Sequence, residues 1–162
     1  MKIFLFILTL IPSLSNLNAQ QISKFIEGKV VGVRDGDTIV ILFDEKPLVI
    51  RLAHIDCPEL KKKQPFGAAA KKFTSDFCFG KIVRVENDEK FDRNQRLIAV
   101  VYNENGINLN RQLVKAGLAW HFRKYSSDQV YAQLEIRARN NRIGLWSENN
   151  PVPPWDWRKP KN

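Results

Sequence analysis

Short Val- and Ile-rich runs separated by tight-turn signals fill the first half of this chain, and they leave few folds open. Segments 29–33, 38–43 and 48–55 are rich in β-branched residues with partial alternation, the pattern of half-buried strands. Asp35-Gly36 reads as a tight turn between the first two, and 44–47 as another between the second and third. This predicts a three-stranded meander. A helix follows. Gln64-Pro65-Phe66-Gly67 leads into it, Ala69, Phe73 and Phe77 recur every four residues, and Gly80 stops it. Segments 81–86 and 97–102 read as two further strands joined by a charged hairpin. Asn108 caps a short helix carrying Leu109, Leu113 and Val114 and ending at Gly117. The last long helix is expected to begin near Ser126, which has capping-box spacing to Gln129, with Val130, Leu134 and Ala138 on one face. The leading expectation is an α+β fold: a five-stranded OB-fold β-barrel with three α-helices. The pattern alone leaves other small α+β arrangements open.

With 162 residues, 44% of them hydrophobic, the chain is long enough for one domain with its own core. Its net charge of +9, from 26 Lys and Arg against 17 Asp and Glu, favours polyanionic partners. Nucleic acid and an anionic membrane surface both qualify. Residues 1–19 stand apart. Lys2 gives a basic start, an apolar run extends from residue 3 to about 14, and Ala19 offers a cleavage position. This is a secretory signal pattern, with an apolar run shorter than the roughly 20 residues of a membrane helix. The mature protein is therefore expected to be secreted or periplasmic, with no membrane segment after signal cleavage. The remainder divides into a domain over 24–148 and a tail over 149–162 rich in Pro, Trp and basic residues. Trp155 and Trp157 are expected to pack partly, and the tail to be able to frame a binding groove. Cys57 and Cys78 can pair in an oxidising compartment or remain buried thiols. Without a histidine partner they do not make a zinc site. His54 and His121 sit in no ligand or triad pattern and read as structural.

Two acidic stretches lie one strand apart: Asp35-Gly36-Asp37-Thr38 and Ile55-Asp56-Cys57-Pro58-Glu59. If the second and third strands pair through the 44–47 turn, Asp37 at the start of one meets Asp56 at the end of the other. Two carboxylates, a main-chain carbonyl and waters form a hard-oxygen set that suits Ca²⁺. The plainer reading of Asp-Gly-Asp is a turn alone. Glu59, beyond the stiffening Pro58, is placed to manage the proton of an attacking water. Arg51 offers either a planar fork to phosphate oxygens or a cross-strand ion pair. Arg51 and Asp56 are five residues apart, so on a regular strand they face opposite sides. A bulge or the strand end must fall between them.

In order and spacing these residues resemble the staphylococcal nuclease (thermonuclease) family. The resemblance is carried by Val33-Arg34-Asp35-Gly36-Asp37-Thr38, the stretch from Arg51 through His54 to Glu59, Gln64-Pro65-Phe66-Gly67-Ala68-Ala69-Ala70, Gly117-Leu118-Ala119-Trp120 and Asn141-Arg142-Ile143-Gly144-Leu145-Trp146. It runs from about Lys29 to Trp146. It implies an OB-fold barrel with three helices and Ca²⁺-dependent cleavage of DNA and RNA, leaving 3′-phosphates. It implies Asp37 and Asp56 as carboxylate ligands of calcium, and Cys57 as a ligand through its main-chain carbonyl, where the family often has Thr. It further implies Glu59 as general base and Arg51 as the first phosphate-binding arginine. The second family arginine follows an Asp-x-Tyr-Gly-Arg-like hairpin. The stretch here is Asp92-Arg93-Asn94-Gln95-Arg96, so Arg96 is the matching position and Arg93 its competitor. Gln95 stands where the family has Gly, which puts the turn geometry in question. Lys61, Lys62 and Lys63 either follow a phosphate backbone or form a solvated loop. Among the aromatics where the family meets the base, Trp120 reads as core and Tyr125, beside Arg123 and Lys124, as the stacking ring. The resulting expectation is a monomeric, secreted, sequence-nonspecific endonuclease. The alternatives are an OB-fold module that binds nucleic acid without cutting it, and a basic envelope-binding protein.

Overall fold

Two-residue turns set the register of the barrel. The computed structural model describes residues 23–160, so the leader expected over 1–19 lies outside the described residues. Strands β1 (Phe25–Asp35) and β2 (Thr38–Phe43) are joined by Gly36-Asp37. Strands β2 and β3 (Lys46–Leu52) are joined by Asp44-Glu45, with φ of 47° and 62°. Two positive φ values in a two-residue loop match the right-handed twist of the flanking strands. The turn over 44–47 is thus shorter than its polar residues indicate, and pairing runs to Thr38↔Arg51. The chain then leaves the barrel through β4 (Ile55–Asp56) and α1 (Gly67–Cys78). It returns as β5 (Ile82–Phe91) and β6 (Leu97–Tyr102). Parallel pairing of β3 with β6 and antiparallel pairing of β1 with β5 close the barrel in the order β1-β2-β3-β6-β5. This is the expected five-stranded OB-fold.

Helix α2 (Leu109–Lys115), strand β7 (Trp120–His121), helix α3 (Gln129–Asn140), a 3₁₀ turn (Gly144–Ser147) and a short α4 (Pro154–Trp157) complete the order. The β4–β7 pair and the two short helical turns add to the five strands and three helices read from the sequence. Each spans too few residues for periodicity to reveal it. The strand expected over 48–55 breaks at Ala53-His54, where His54 takes φ 69°. Histidine is among the few residue types enriched at positive φ. The last helix starts at Gln129, not near Ser126, because Asp128 is its cap and accepts from Val130 N at 2.8 Å. Its buried face is Tyr131, Glu135 and Ala138, and Val130 is exposed. An apolar-only periodicity misses this face because its central residue is a carboxylate. Glu135 is buried by pairing with Arg123 and Arg139, each at 3.2 Å, and by accepting from His121 N.

Inward-facing Val30, Ile39, Ile41, Ile50, Val85, Leu97 and Val101 fill the barrel, and Leu109, Leu113 and Val114 of α2 extend the same core. A second cluster gathers Trp120, Ala138, Leu145 and Trp146, with Phe66 and Trp155 packed on it. The tail is thereby anchored to the domain. Gly117 and Gly144 hold these parts together by backbone approach. At Gly117 (φ 63°) a Cβ would lie 2.1 Å from the Ile143 carbonyl oxygen. Gly117→Ala is therefore expected to cost at least about 2 kcal/mol, from left-handed strain plus a backbone clash. A fall in the denaturation midpoint at unchanged slope checks this.

Candidate active site

The site forms where the β1–β2 turn meets the end of β3. Thr74 of α1 donates to Gly36 O at 2.6 Å, fixing that turn. Gly36 has no room for a side chain, since a Cβ there would lie 2.7 Å from the Cβ of Ala70 and 2.9 Å from that of Cys57. On the other side, buried Asn110 donates to Ala53 O at 3.0 Å and Ala99 O at 3.2 Å, and accepts from Val101 N at 3.1 Å. This pins the end of β3, and the His54 turn then redirects the chain. Asp56 consequently comes round to the side of Arg51, which meets the spacing requirement set by their five-residue separation.

Arg51 bridges the two acidic stretches. Its Nη1 lies 3.1 Å from Asp37 Oδ2 and its Nη2 2.7 Å from Asp56 Oδ1. Nη1 also donates to the carbonyls of Leu52 and Ile55, both at 3.0 Å. Burial opposes the charge on Arg51, but Asp37 and Asp56 outweigh it and hold its pKa above the ordinary value. Asp37 is the second turn residue rather than the first of β2. Its Oδ2 accepts from Cys57 N at 2.8 Å and its Oδ1 from the Thr38 hydroxyl at 3.1 Å. Asp56, 1% exposed, is held by β4 pairing with Trp120. Burial pushes its carboxyl upward against the pull of Arg158 and Arg51.

Glu59 stands beside this pair. Its main-chain N–H donates to Gln64 Oε1 at 2.9 Å, and Gln64 Nε2 donates to Val152 O at 2.8 Å. Arg158, from the tail, joins Glu59 to Asp56. Its Nη1 lies 2.6 Å from Glu59 Oε1, and its Nη2 2.6 Å from Asp56 Oδ2. The tail therefore enters the site itself, beyond the groove-framing expected of it. Neither Arg158 nor Gln64 stands out by charge pattern. Gln64 was visible only as part of the Gln-Pro-Phe-Gly stretch, and Arg158 only as one basic residue among tryptophans.

Arg96 reaches the cluster through Thr38, donating from Nη1 to its hydroxyl at 3.2 Å, while Arg93 is exposed. Asp92 grips Arg96 at 2.6 and 2.7 Å and accepts from the main-chain N–H groups of Asn94 and Arg96. Burial opposes the Asp92 charge, but these bonds prevail and hold its pKa below 3.8. The hairpin turn keeps its form without glycine because Gln95 adopts φ 57°. Lys61 and Lys62 are exposed, and Lys62 Nζ donates to Arg158 O at 2.9 Å. Tyr125 is 70% exposed, with its ring edge-on to Phe122 at 4.9 Å, whereas Trp120 is buried between Trp146 and Trp155. Cys57 and Cys78 are both buried free thiols, and burial raises both. His54 Nδ1 and His121 Nε2 share the Ser126 hydroxyl at 2.9 and 3.0 Å, so both rings are structural links away from the carboxylates.

Asp35 registers the crowding of acidic groups. Burial first, then Asp37 and Glu59, push its carboxyl from 3.8 to about 6. A carboxyl raised in the folded state contributes stability below pH 3.8 that is lost as pH rises through about 6. Asp35→Asn is expected to flatten the wild-type decline in melting temperature over that window. Parallel melting curves for both proteins across the window would contradict the assignment.

The family model described as "Staphylococcal nuclease homologue" matches residues 49–148. The chain belongs to the staphylococcal nuclease family. It is 44% identical over 132 residues to a protein named "Uncharacterized endonuclease" from Haemophilus influenzae, covering 81% of this chain and 72% of that protein. It is 42% identical over 136 residues to an "Uncharacterized endonuclease" from Escherichia coli O157:H7, covering 84% and 87%. A "Micrococcal nuclease" from Shigella flexneri is 37% identical over 142 residues, covering 82% and 80%. As a staphylococcal nuclease homologue the protein is a nuclease, an enzyme that hydrolyses phosphodiester bonds.

Proposed function

We propose that the protein is a calcium-dependent, sequence-nonspecific nuclease of DNA and RNA that leaves 3′-phosphate ends and works as a secreted or periplasmic monomer. The observation that carries this reading is the convergence of Asp37 and Asp56 on one guanidinium, with Glu59 beside Asp56. Among the described residues, no three His, Cys, Asp or Glu side chains are grouped to hold one ion. The donor set is instead two carboxylates and the Cys57 carbonyl, with water completing it. All are hard oxygen donors of the kind calcium accepts in irregular geometry, so the residues fit the ion. Held there by Asp37, Asp56 and the Cys57 carbonyl, calcium would supply positive charge for the phosphoryl oxygens.

The chain's own residues do the rest. Glu59 takes the proton from the attacking water. Arg51 holds both carboxylates in place and, with Arg96, faces the charge that builds on the phosphoryl oxygens. The water attacks phosphorus in line, the P–O5′ bond breaks, O5′ takes a proton from solvent and leaves as a hydroxyl, and the phosphate stays on the 3′ side, as the family resemblance implies. Lys61 and Lys62 meet phosphates nonspecifically. Tyr125 offers a stacking face worth roughly 1–3 kcal/mol per base, whichever base it is. The signal pattern over 1–19 supports export, and among the described residues no helix is long and apolar enough to cross a membrane. The test is a substrate panel of duplex DNA, single-stranded DNA and RNA in calcium, with end-group analysis of the products. Cleavage of all three, with phosphatase-sensitive 3′ ends, is expected. Cleavage of one class alone, or 5′-phosphate ends, contradicts the reading.

A further inference from the structure

We propose that Arg158 of the C-terminal arm is a third substrate-binding arginine of this site, donating to a phosphate oxygen of the nucleic-acid chain. The proposal rests on the nuclease reading of the Asp37–Asp56–Glu59 cluster. Three observations carry it.

The first is placement. Arg158 meets both Asp56 oxygens, at 2.6 and 3.3 Å, and Glu59 at 2.6 Å. A phosphate that reaches Glu59 therefore lies within reach of Arg158. Arg51 is held by carboxylates of the same cluster, so the two guanidiniums flank Asp56.

The second is spare donor capacity. The Nη1–Nη2 edge of Arg158 is taken by carboxylates, but among the described residues nothing accepts from its Nε–H. The Nε–Nη2 edge is a planar fork that suits phosphate oxygens. The Arg158 side chain is 38% exposed, against 12% for Arg51, so it is the more open of the two arginines to an incoming strand.

The third is that the arm is built in position. Pro153 and Pro154 start α4. The Trp155 ring stacks on Phe122 at 5.2 Å with 5° between planes and meets Trp120 edge-on at 5.7 Å. Trp157 Nε1 donates to Lys62 O at 3.2 Å, and Lys62 Nζ donates back to Arg158 O at 2.9 Å. The arm and the lysine loop thus form one basic wall. At the other end of that wall, Phe122 touches the exposed ring of Tyr125.

The experiment compares full-length wild type, Arg158→Ala and Arg158→Lys in steady-state cleavage at several salt concentrations. Binding of a labelled single-stranded oligonucleotide, measured in chelator, is the second readout. Arg158→Ala is expected to raise KM about 10-fold. It is also expected to weaken oligonucleotide binding and to lower the slope of log affinity against log salt by about 0.7, the value of one lost phosphate contact on a single strand. Arg158→Lys keeps the charge and should restore the slope, with only part of the affinity. Loss of an arm anchor alone would lower the melting temperature without moving the slope. An unchanged slope, or faster cleavage by Arg158→Ala because the arm shields the site, overturns the proposal. Absence of cleavage by wild type with intact binding sinks the nuclease reading instead, and the binding slopes still decide the role of Arg158.

Discussion

Glu59→Gln is expected to lower kcat by about 10²–10⁴-fold, the range a positioned general base supplies. The substitution is close to isosteric. The position of residue 59 is set by its main-chain bond to Gln64 at 2.9 Å, which does not depend on the side chain. What disappears is the carboxylate that can take the water's proton. Arg158 loses one charged partner but keeps Asp56 at 2.6 Å, so the arm remains docked. The Glu59–Arg158 pair lies at the rim, where an ion pair contributes about 0–1 kcal/mol, so the melting temperature should barely move. Loss of turnover with an unchanged melt assigns the effect to chemistry. Normal turnover would remove Glu59 from the base role, and catalysis would then have to draw its base from Asp35 or from solvent.

Asp37→Asn is expected to weaken calcium binding by more than about 100-fold, read by titration calorimetry. That is more than the 10–100-fold lost when a residue behind a ligand is changed. It should also abolish the stimulation of cleavage by calcium. Asparagine keeps an oxygen to accept from Cys57 N–H at the 2.8 Å position and a neighbour for the Thr38 hydroxyl. It removes the charge facing Arg51 and reverses the Thr38 bond, the amide nitrogen donating to the hydroxyl oxygen. Asp37→Ala removes the acceptor as well. It leaves the Cys57 N–H buried without a partner and is expected to lose a further roughly 1–3 kcal/mol of stability. If Asp37→Asn binds calcium like wild type, the two-carboxylate site is wrong.

Much of this site was legible because its residues sit at turns and strand ends that carry strong local signals. Asp35-Gly36 signalled the β1–β2 turn, which the chain makes one residue later, at Gly36-Asp37. The Thr38↔Arg51 register followed from the short turn at 44–47, and it brings Asp37 to the end of β3. The Arg51–Asp56 spacing demanded an interruption, and the His54 turn supplies it. What stayed hidden depends on tertiary pairing. The buried face of α3 contains Glu135, which pairs with Arg139 one turn further along the helix and with Arg123 and the His121 N–H, which only the fold brings to it. Gln95 stands where the family has glycine and still takes φ 57°, in a turn that Asp92 braces by accepting from the Asn94 and Arg96 N–H groups. Arg158 lies 102 residues from Asp56, and only the docking of Trp155 on Phe122 and Trp120 brings it back.

Incubation of the purified wild-type protein with supercoiled plasmid, in calcium and in chelator, bears most directly on whether this carboxylate cluster is a metal-assisted hydrolytic centre. The plasmid should be nicked and then degraded in calcium, stay intact in chelator, and be degraded again when calcium is restored in excess. Undiminished cutting in chelator, or tight plasmid binding in calcium with no strand cut, would contradict it.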